Sequence, residues 1–346
     1  MMSVNDSGEA SVLSLGSAVG VLKAAAEPTR LRLLALLTDG ELNVKDLTRI
    51  LGQSQPRISR HLKLLSETGL VERAPEGSWV YFRLAAEGRG RELVQQLLQS
   101  VSPADPALAR DRRRAETVKA ERQEAAQTYF QAHASDWDRI RALHAGDADV
   151  ELAVSSALGP GPFNLLVDLG TGTGRMLEAF AERYRRGLGL DLSPAMLAYA
   201  RANLERAGLA NAQVRQGDIC DLPLADQSAD AVVMHQVLHF LADPQPAIRE
   251  AARVLSPGGR LLIVDFAPHQ LEFLRDQYAH QRLGFARSVV SQWLSDQGLQ
   301  VMETRDLLPG GDDSRPDKLT VSLWLAGRSA ADKKPEANAR KLERTE

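Results

Sequence analysis

Residues 165–174 read Leu-Leu-Val-Asp-Leu-Gly-Thr-Gly-Thr-Gly, an apolar run that passes directly into a loop with glycine at alternate positions. The apolar part predicts a buried strand, and a helix is predicted over residues 175–184. Glycines let the backbone turn sharply and let a ligand approach without a Cβ in the way, while the helix start offers unpaired N–H groups. Ligands of doubly wound sheets bind at the carboxyl ends of the strands. The stretch therefore predicts an α/β domain with a ligand site at residues 170–174.

Three acidic residues follow successive apolar runs and strengthen this interpretation. Asp168 ends the first run, where it can orient the loop or take up an ammonium group. Asp191 ends the second run and is placed to accept hydrogen bonds from ribose hydroxyls, and Asp218 follows a third run, within reach of an adenine amine. One bound nucleoside would bring the three acids together. The loop reads Gly-Thr-Gly-Thr-Gly, which differs from the Gly-x-Gly-x-x-Gly of dinucleotide sites.

Apolar runs alternate with helical segments around this loop. The runs predicted to be strands are 165–169, 187–190, 213–215, 229–234 and 260–266. Such alternation predicts a mostly parallel sheet with helices on both faces.

Residues 129–327 resemble a class I (UbiE-like) S-adenosylmethionine-dependent methyltransferase. The matching motifs are Val167-Asp-Leu-Gly-Thr-Gly-Thr-Gly174, Asp191-Leu-Ser-Pro-Ala-Met196, Gly217-Asp-Ile219 and Ala251-Ala-Arg-Val-Leu-Ser-Pro-Gly-Gly-Arg-Leu-Leu-Ile-Val-Asp265. The resemblance implies a Rossmann-like fold with a seven-stranded, mostly parallel sheet, whose antiparallel strand would be 318–327. It also implies S-adenosylmethionine as cofactor. The cofactor-binding residues would be Asp168, Gly170, Thr171, Gly172, Gly174, Asp191, Leu192, Met196, Asp218 and Ile219.

The same resemblance assigns a pocket lid to the helix at residues 129–140. Tyr129 and Trp137 lie two helical turns apart and share a face. They either close over the ligand or pack the helix on the sheet.

Methyl transfer demands positioning first, and a base only if the acceptor carries a proton. His235 is the candidate general base or substrate contact, and the alternative is a packing role; Gln236 and His239 follow it. His235 and His239 are four residues apart and could share a helical face. A third ligand of matching spacing is missing, so no metal is expected. Cys220 cannot replace the cysteine set of arsenite methyltransferases and is expected to be a small buried residue.

The N-terminal region follows the order of a winged helix-turn-helix, with short amphipathic helices, a recognition-like helix from Ser54 and two β-like runs at 70–73 and 79–84. Residues 11–95 resemble ArsR/SmtB-type repressors, which implies an α+β winged helix domain, a homodimer and a palindromic operator. The resemblance rests on Ala26-Glu-Pro-Thr-Arg-Leu-Arg-Leu-Leu-Ala-Leu-Leu37 and Ser54-Gln-Pro-Arg-Ile-Ser-Arg-His-Leu-Lys-Leu-Leu-Ser-Glu-Thr-Gly-Leu-Val71. Asn43 and Lys45 stand where metal-sensing members carry cysteines, so metal sensing there is not expected.

The helix after Ser54 is predicted to bury Ile58, Leu62 and Leu65. Gln55, Ser59, Arg60 and Lys63 then point outward, with Arg57 and His61 near the edge. These side chains are of the types that contact base edges and phosphates in double-stranded DNA, although a solvated helix face is the alternative. The candidate DNA-binding residues are Gln55, Arg57, Ser59, Arg60, His61 and Lys63. Arg73 and Arg83 in the wing could add phosphate contacts.

The whole chain has a net charge of −3, so any DNA-binding surface must be local. One cysteine, no apolar stretch of about 18 residues and no signal peptide predict a cytoplasmic protein without a membrane partner. The predicted divisions are a winged helix at 11–100, a charged linker helix at 101–128, the methyltransferase domain at 129–327 and a disordered tail at 328–346. The linker helix either is solvated or makes a second contact with the DNA backbone.

Three functions are consistent with the sequence. In the first, a DNA-binding regulator senses S-adenosylmethionine, or S-adenosylhomocysteine as effector, through its methyltransferase-like domain. In the second, the chain also methylates a small-molecule acceptor, and DNA binding couples expression to that acceptor. In the third, the winged helix serves mainly for dimerisation of a small-molecule methyltransferase. The outward polar set of the recognition helix argues against the third.

Overall fold

The structure is a computed structural model that describes residues 13–38, 40–76, 79–85, 89–102, 104–134, 147–308 and 319–330. It divides into two compact units. The first unit comprises residues 1–126 and 270–283, and the second comprises 127–269 and 284–346. Trp137, residue 318 and residues 331–346 of the predicted tail lie outside the described residues. Within the described ranges, no helix is both long and apolar enough to cross a membrane.

The first unit is a winged helix built on an apolar core. Its helices are α1 (Leu15–Ala25), α2 (Pro28–Thr38), α3 (Val44–Leu51), α4 (Gln55–Glu67), α5 (Arg89–Gln99) and the first part of α6 (Pro106–His133). Its strands are β1 (Leu42–Asn43), β2 (Val71–Glu76) and β3 (Trp79–Leu84), antiparallel in the order β1-β3-β2. Ile58, Leu62 and Leu65 are fully buried, as the helical spacing predicts. Glycines at positive φ end two helices, at Gly52 and Gly69.

The wing differs from the sequence prediction in where its strands end. The first β-like run was predicted to end at Arg73, but β2 continues through Pro75 and Glu76, and Pro75 pairs with Val80 and Glu76 with Trp79. A proline is tolerated there because β2 is an edge strand, whose outer N–H groups need no partner in the sheet.

The linker helix α6 is 28 residues long and packs one face on the first unit. Asp111, which is 1% exposed, receives a bidentate contact from Arg32, with Nη2 to Oδ1 at 2.7 Å. Further along the same face, Val118 is buried in the core and Glu121 accepts a 2.7 Å hydrogen bond from Arg49. The helix is therefore a docked element over this part, since spaced contacts on one face hold it.

The second unit contains a seven-stranded sheet in the order β6-β5-β4-β7-β8-β10-β9. Its strands are β4 (Phe163–Leu169), β5 (Tyr184–Asp191), β6 (Ala212–Gln216), β7 (Ala229–His235), β8 (Leu255–Phe266), β9 (Gln300–Leu307) and β10 (Val321–Gly327). Strands β4 to β8 run parallel, and β10 is antiparallel to β8 and β9. The helices are the end of α6, α7 (Asp147–Leu158), α8 (Arg175–Ala179), α9 (Pro194–Arg206), α10 (Gln245–Val254) and α12 (Arg287–Asp296); α11 (Phe273–Tyr278) belongs to the first unit. The predicted Rossmann-like sheet is confirmed.

One local prediction in this unit was wrong, and one strand was not predicted. The helix after the glycine loop ends at Ala179 rather than Tyr184, because a short 3₁₀ turn follows and Tyr184 already begins β5. The Tyr184 hydroxyl donates to the Leu177 carbonyl at 2.9 Å, and burial raises the pKa of Tyr184 to about 12. Strand β9 was not predicted because it is a polar edge strand in which exposed positions such as Gln300 and Met302 alternate with partly buried ones.

Candidate ligand and DNA sites

The glycine loop is fixed to the end of the neighbouring strand by its backbone. The N–H groups of Gly170 and Thr171 both donate to the Leu190 carbonyl, at 2.8 and 3.0 Å. Gly170 has φ of 73°, and a Cβ added there would lie 2.8 Å from Val237 Cβ. Only glycine fits this position without strain, and the chain after β7 therefore abuts the loop.

Asp191 joins the loop to the end of β5. Its carboxylate accepts from the Gly172 N–H at 2.9 Å and from the Ser193 N–H at 2.8 Å. Burial raises the pKa of Asp191, while backbone N–H groups, first that of Ser193, oppose the shift. The carboxylate is thus held in place by donors that leave acceptor positions for a further hydroxyl, since each carboxylate oxygen has two lone pairs.

Asp168 orients the loop from the other side. It is 1% exposed and its carboxylate accepts from the Thr171 hydroxyl at 2.6 Å. Thr173 is also buried, and its carbonyl accepts from the Asn203 side chain at 2.9 Å. The first acid, the glycine loop and Asp191 therefore form one hydrogen-bonded group, as the sequence predicts for a single ligand site.

The side expected to hold adenine is less tightly connected. Met196 and Ile219 are buried, and the Ser193 hydroxyl caps α9 by accepting from Met196 N–H at 3.3 Å. The Asp218 carboxylate is partly buried and accepts from the Cys220 N–H at 2.8 Å. Leu192 is partly exposed. The chain after β6 meets this edge because the Gly217 N–H donates to the Asp191 carbonyl at 3.1 Å. Cys220 is partly buried rather than fully buried.

The two histidines do not share a helical face, contrary to the sequence prediction. His235 is the last residue of β7, paired with Val264 of β8, whereas His239 lies in a 3₁₀ turn, Leu238–Phe240. Gln236 separates them with φ of 51°, which redirects the backbone. Within the described residues, no group of three or more His, Cys, Asp or Glu side chains could hold a metal ion.

His239 pairs with Asp265, a contact that the sequence did not predict. Nδ1 of His239 lies 2.8 Å from Oδ1 of Asp265, and the two residues are 2% and 0% exposed. In this hydrogen bond the ring nitrogen is the donor when the carboxylate is ionised, because an ionised carboxylate only accepts. Asp265 also accepts from the N–H groups of Leu238 at 2.9 Å and Phe266 at 2.8 Å. It therefore fixes the chain after β7 on the end of β8.

Gln236 offers a direct test of whether an adenosine ligand fits this edge. It is 6% exposed, and its Oε1 has no hydrogen-bond partner among the described residues. A buried acceptor without a partner costs free energy unless something donates to it. The ammonium group of S-adenosylmethionine is a donor of the required kind, and neighbouring Val237 already packs against the glycine loop. The residues present therefore fit this cofactor.

Aromatic rings surround the histidine at the same edge. Phe240 and Phe266 lie 4.0 and 4.9 Å from His239, centroid to centroid, and Phe130 at the end of α6 meets Phe240 edge-on at 4.8 Å. Tyr129, expected either to close over the ligand or to pack the helix on the sheet, is half-buried and stacks on His133 at 4.3 Å. Phe130, Phe240 and Phe266 therefore form an apolar cluster next to His239 and Asp265.

The candidate DNA-binding residues lie on α4. Five of the six are exposed: Gln55, Arg57, Ser59, Arg60 and Lys63. His61 is different, because its side chain is 12% exposed and its Nδ1 lies 3.7 Å from Oε2 of Glu27. Desolvation lowers the pKa of His61, and the opposing attraction of Glu27 is smaller. The structure brings five predicted side chains to one surface and places His61 against α2.

The wing arginines also differ from each other. Arg73 is exposed, whereas Arg83 contacts Glu72 at 2.8 Å and Glu41 at 3.5 Å. Asn43, at the position where metal sensors carry cysteine, accepts from the Asp46 N–H at 2.9 Å and caps α3. The Asn43 side chain therefore has a structural role as the N-cap of α3.

Comparison with known proteins agrees with this architecture. Residues 27–73 match the family model described as "Bacterial regulatory protein, arsR family", and residues 167–263 match the one described as "Methyltransferase domain". Both resemblances are thereby confirmed, and the chain carries an arsR-family helix-turn-helix followed by a methyltransferase domain.

Similar proteins include two bacterial demethylmenaquinone methyltransferases. The one from Clavibacter sepedonicus is 29% identical over 57% of this chain and 78% of its own length. The one from Thermus thermophilus is 36% identical over 40% of this chain and 64% of its own length. A chain in the complex between the Haloferax volcanii Trm112 methyltransferase activator and a protein described there as a methyltransferase is 25% identical, with a TM-score of 0.50 over 58% of this chain and 97% of that one. The matched region therefore covers only part of the length of each demethylmenaquinone methyltransferase.

Proposed function

We propose that this chain is a transcriptional regulator whose affinity for operator DNA depends on S-adenosylmethionine or S-adenosylhomocysteine. One observation carries the proposal. The glycine loop, in which the Gly172 N–H donates to the Asp191 carboxylate, is joined in one chain to helix α4 with its five exposed polar side chains. The two features lie in separate compact units, so their fusion in one chain favours a functional connection.

The ligand would be held mainly by groups that are already in place. Asp191 is positioned for the ribose hydroxyls, and Met196 with Ile219 supplies buried apolar surface for the adenine. Gln236 would accept from the ammonium group. S-adenosylmethionine and S-adenosylhomocysteine differ by a methyl group and one positive charge, and the buried acid Asp168 favours the charged ligand electrostatically.

The direct test is fluorescence anisotropy of the full chain on the promoter region of its own gene. Binding is measured without ligand, with S-adenosylmethionine and with S-adenosylhomocysteine, and adenosine serves as a control. Allosteric couplings are commonly about 1–3 kcal/mol, so we expect a shift of at least about fivefold in Kd for one of the two ligands. Identical curves in all conditions would refute the sensing function.

Methyl transfer to a small molecule is the second function that the geometry supports. The observation that favours it is that β7 ends at His235 and that the hydrogen-bonded pair of His239 and Asp265 follows at the same end of the sheet, which also carries the glycine loop. Bound S-adenosylmethionine supplies a methyl group whose bonding pair stays on sulfur, and the acceptor loses a proton if it carries one. His235 is our candidate for taking that proton, and Asp265 positions the neighbouring loop.

Activity is tested by following the formation of S-adenosylhomocysteine with a panel of acceptors. Demethylmenaquinone, the substrate in the name of two relatives, is the first compound to assay. If turnover occurs, His235→Ala should lower kcat by about 100-fold or more while ligand affinity stays constant. An unchanged kcat would remove His235 from the mechanism and leave it a packing residue.

We also infer that the protein is a homodimer. Leu15, Val19 and Leu22 are 83%, 39% and 48% exposed, and they lie at i, i+4 and i+7 on one face of α1. A second copy bound by a twofold axis would cover such a stripe in both protomers and match a palindromic operator. Sedimentation of Leu15→Asp/Leu22→Asp should show a monomer with weakened operator binding. A dimer of unchanged stability in this variant would place the interface elsewhere.

A further inference from the structure

The chain between β8 and α12 packs with the first unit, although its neighbours on both sides lie in the second. We call residues 270–283 the anchored segment. It contains the short helix α11, with Leu274 fully buried, and a turn at Ala279, where φ is 55°.

The residues that flank the anchored segment in the chain lie together at the carboxyl end of β8. The Phe285 N–H donates to the Phe266 carbonyl at 2.8 Å, and the Ala267 N–H donates to the Thr320 carbonyl at 2.9 Å. Gly284 has φ of 86°, and a Cβ there would lie 2.6 Å from the Ala267 carbonyl carbon. The residues that flank the segment in the chain, Ala267 and Phe285, therefore lie at the carboxyl end of β8, directly after Asp265.

Glu76, the last residue of β2, contacts both the helix and the end of the anchored segment. Its Oε1 accepts from the Leu283 N–H and from Arg275 Nη2, each at 2.6 Å, and its Oε2 lies 3.2 Å from Arg282 Nε. A single wing carboxylate thus contacts α11 and the last two residues of the segment.

The other contacts between the anchored segment and the winged helix also involve buried polar groups. Arg282 also pairs with Glu41, and its guanidinium lies 4.0 Å from the Tyr81 ring centroid. Arg275 lies 4.4 Å from the Trp79 ring, and the Tyr81 hydroxyl donates to the carbonyl of residue 281 at 2.9 Å. The side chains of Arg275 and Arg282 are only 4% and 5% exposed.

Buried polar contacts of this kind depend more strongly on the relative position of their partners than apolar contacts do. A buried ion pair contributes little net stability because desolvation opposes the attraction, but it tolerates little misalignment. Several of these bonds share Glu76, so a small displacement of the segment disturbs them together. The wing strands that hold the other partners also carry the exposed Arg73.

We propose that the anchored segment transmits occupancy of the ligand site to the wing through Glu76, so that the wing takes up a different position on DNA with and without ligand. This inference rests on the proposed sensing function and names the element that couples the two sites.

The test compares Glu76→Gln with Glu72→Gln in the full-length protein. Both substitutions remove one carboxylate from β2, but Glu72 pairs with Arg83 within the wing, at 2.8 Å, instead of with the anchored segment. The amide introduced by Glu76→Gln keeps an oxygen for the Leu283 N–H and loses the charge that attracts the two arginines. The measured quantity is the ratio of operator Kd with and without ligand, because removing an acid near DNA can change affinity by itself.

We expect Glu76→Gln to bring this ratio to within twofold of one, while Glu72→Gln keeps the wild-type ratio. Calorimetry should show wild-type ligand affinity in both variants. A wild-type ratio in Glu76→Gln overturns the inference and leaves sensing intact. A ratio of one in the wild type overturns sensing, and with it the inference.

Tyr81→Phe provides a second variant in case Glu76→Gln folds poorly. It removes only the hydroxyl that donates to the carbonyl of residue 281. The ratio of operator Kd with and without ligand should move about twofold closer to one. Hydrogen exchange in residues 71–76 and 270–283 should also respond less to ligand than in the wild type. An unchanged ratio with unchanged exchange would count against the anchored segment.

Discussion

The recognition helix and the carboxyl edge of the large sheet use polar side chains in opposite ways. On α4, Arg57, Arg60 and Lys63 extend into solvent. At the sheet edge, Asp168 and Asp265 are almost completely buried, and each accepts hydrogen bonds from neighbouring groups of the same fold.

The difference follows from the ligands that the two surfaces are proposed to bind. Phosphate charge acts over several ångströms, so long, solvated cationic side chains can adjust to it. A small ligand contributes few contacts and cannot offset the cost of ordering its site, so the site must be ordered beforehand. Substitutions at the sheet edge should therefore strongly lower ligand affinity or the stability of that unit. Substitutions on α4 should lower operator affinity moderately.

Asp191→Ala should have the largest effect. It removes the acceptor for two backbone N–H groups as well as the proposed ribose contact, and hydrogen bonds to a charged group are worth about 1.5–3 kcal/mol each. We expect calorimetry to show at least about 100-fold weaker binding of S-adenosylhomocysteine. Operator affinity without ligand should match the wild type. A loss of less than threefold would mean that the ligand binds elsewhere.

Gly170→Ala should destabilise the second unit by about 2 kcal/mol, because alanine is strained at φ of 73° and its Cβ meets Val237. Adding Val237→Ala should recover the part due to the collision, but not the part due to the backbone. Urea unfolding of the two single variants and the double variant gives the coupling between them. Strictly additive effects would contradict the packing described for the loop.

Arg60→Ala should weaken operator binding about tenfold and lower the slope of log K against log salt by about one. Arg215→Ala, an exposed arginine on β6, removes the same charge from the second unit and serves as the control. Equal effects of the two substitutions would show that general charge, rather than α4, determines binding.

His61→Ala should have the smallest effect, less than threefold on operator affinity. Its side chain is turned toward Glu27 instead of solvent, although the sequence grouped it with the DNA-contacting residues. An effect as large as that of Arg60→Ala, in the same anisotropy assay, would show that His61 contributes to DNA binding.

The sequence was informative where a local pattern specifies the structure. The glycine loop and the spacing of Ile58, Leu62 and Leu65 on α4 each follow from a few adjacent residues. Helix α8 was predicted too long because a 3₁₀ turn follows it, and strand β9 was missed because it is a polar edge strand. His61 was expected near the edge of the outward face and was counted among the DNA-contacting candidates, because the position of Glu27, just before α2, cannot be read from the pattern on α4.

The long-range polar contacts had no sequence signal. Glu41 and Glu76 meet Arg275 and Arg282 across about 200 residues of chain. Ion pairs of this kind have no periodicity, and each partner resembles an ordinary surface residue. The pairing of His239 with Asp265 is similar, because the register of β7 against β8 places the two residues together.

Thermodynamic reciprocity provides the most direct test of the central claim that ligand and DNA binding are coupled. If ligand changes operator affinity by some factor, operator must change ligand affinity by the same factor. The measurement is calorimetric titration of S-adenosylhomocysteine into the full chain, with and without saturating operator. We predict a difference of at least about fivefold in Kd. Equal affinities in the two titrations would contradict the account.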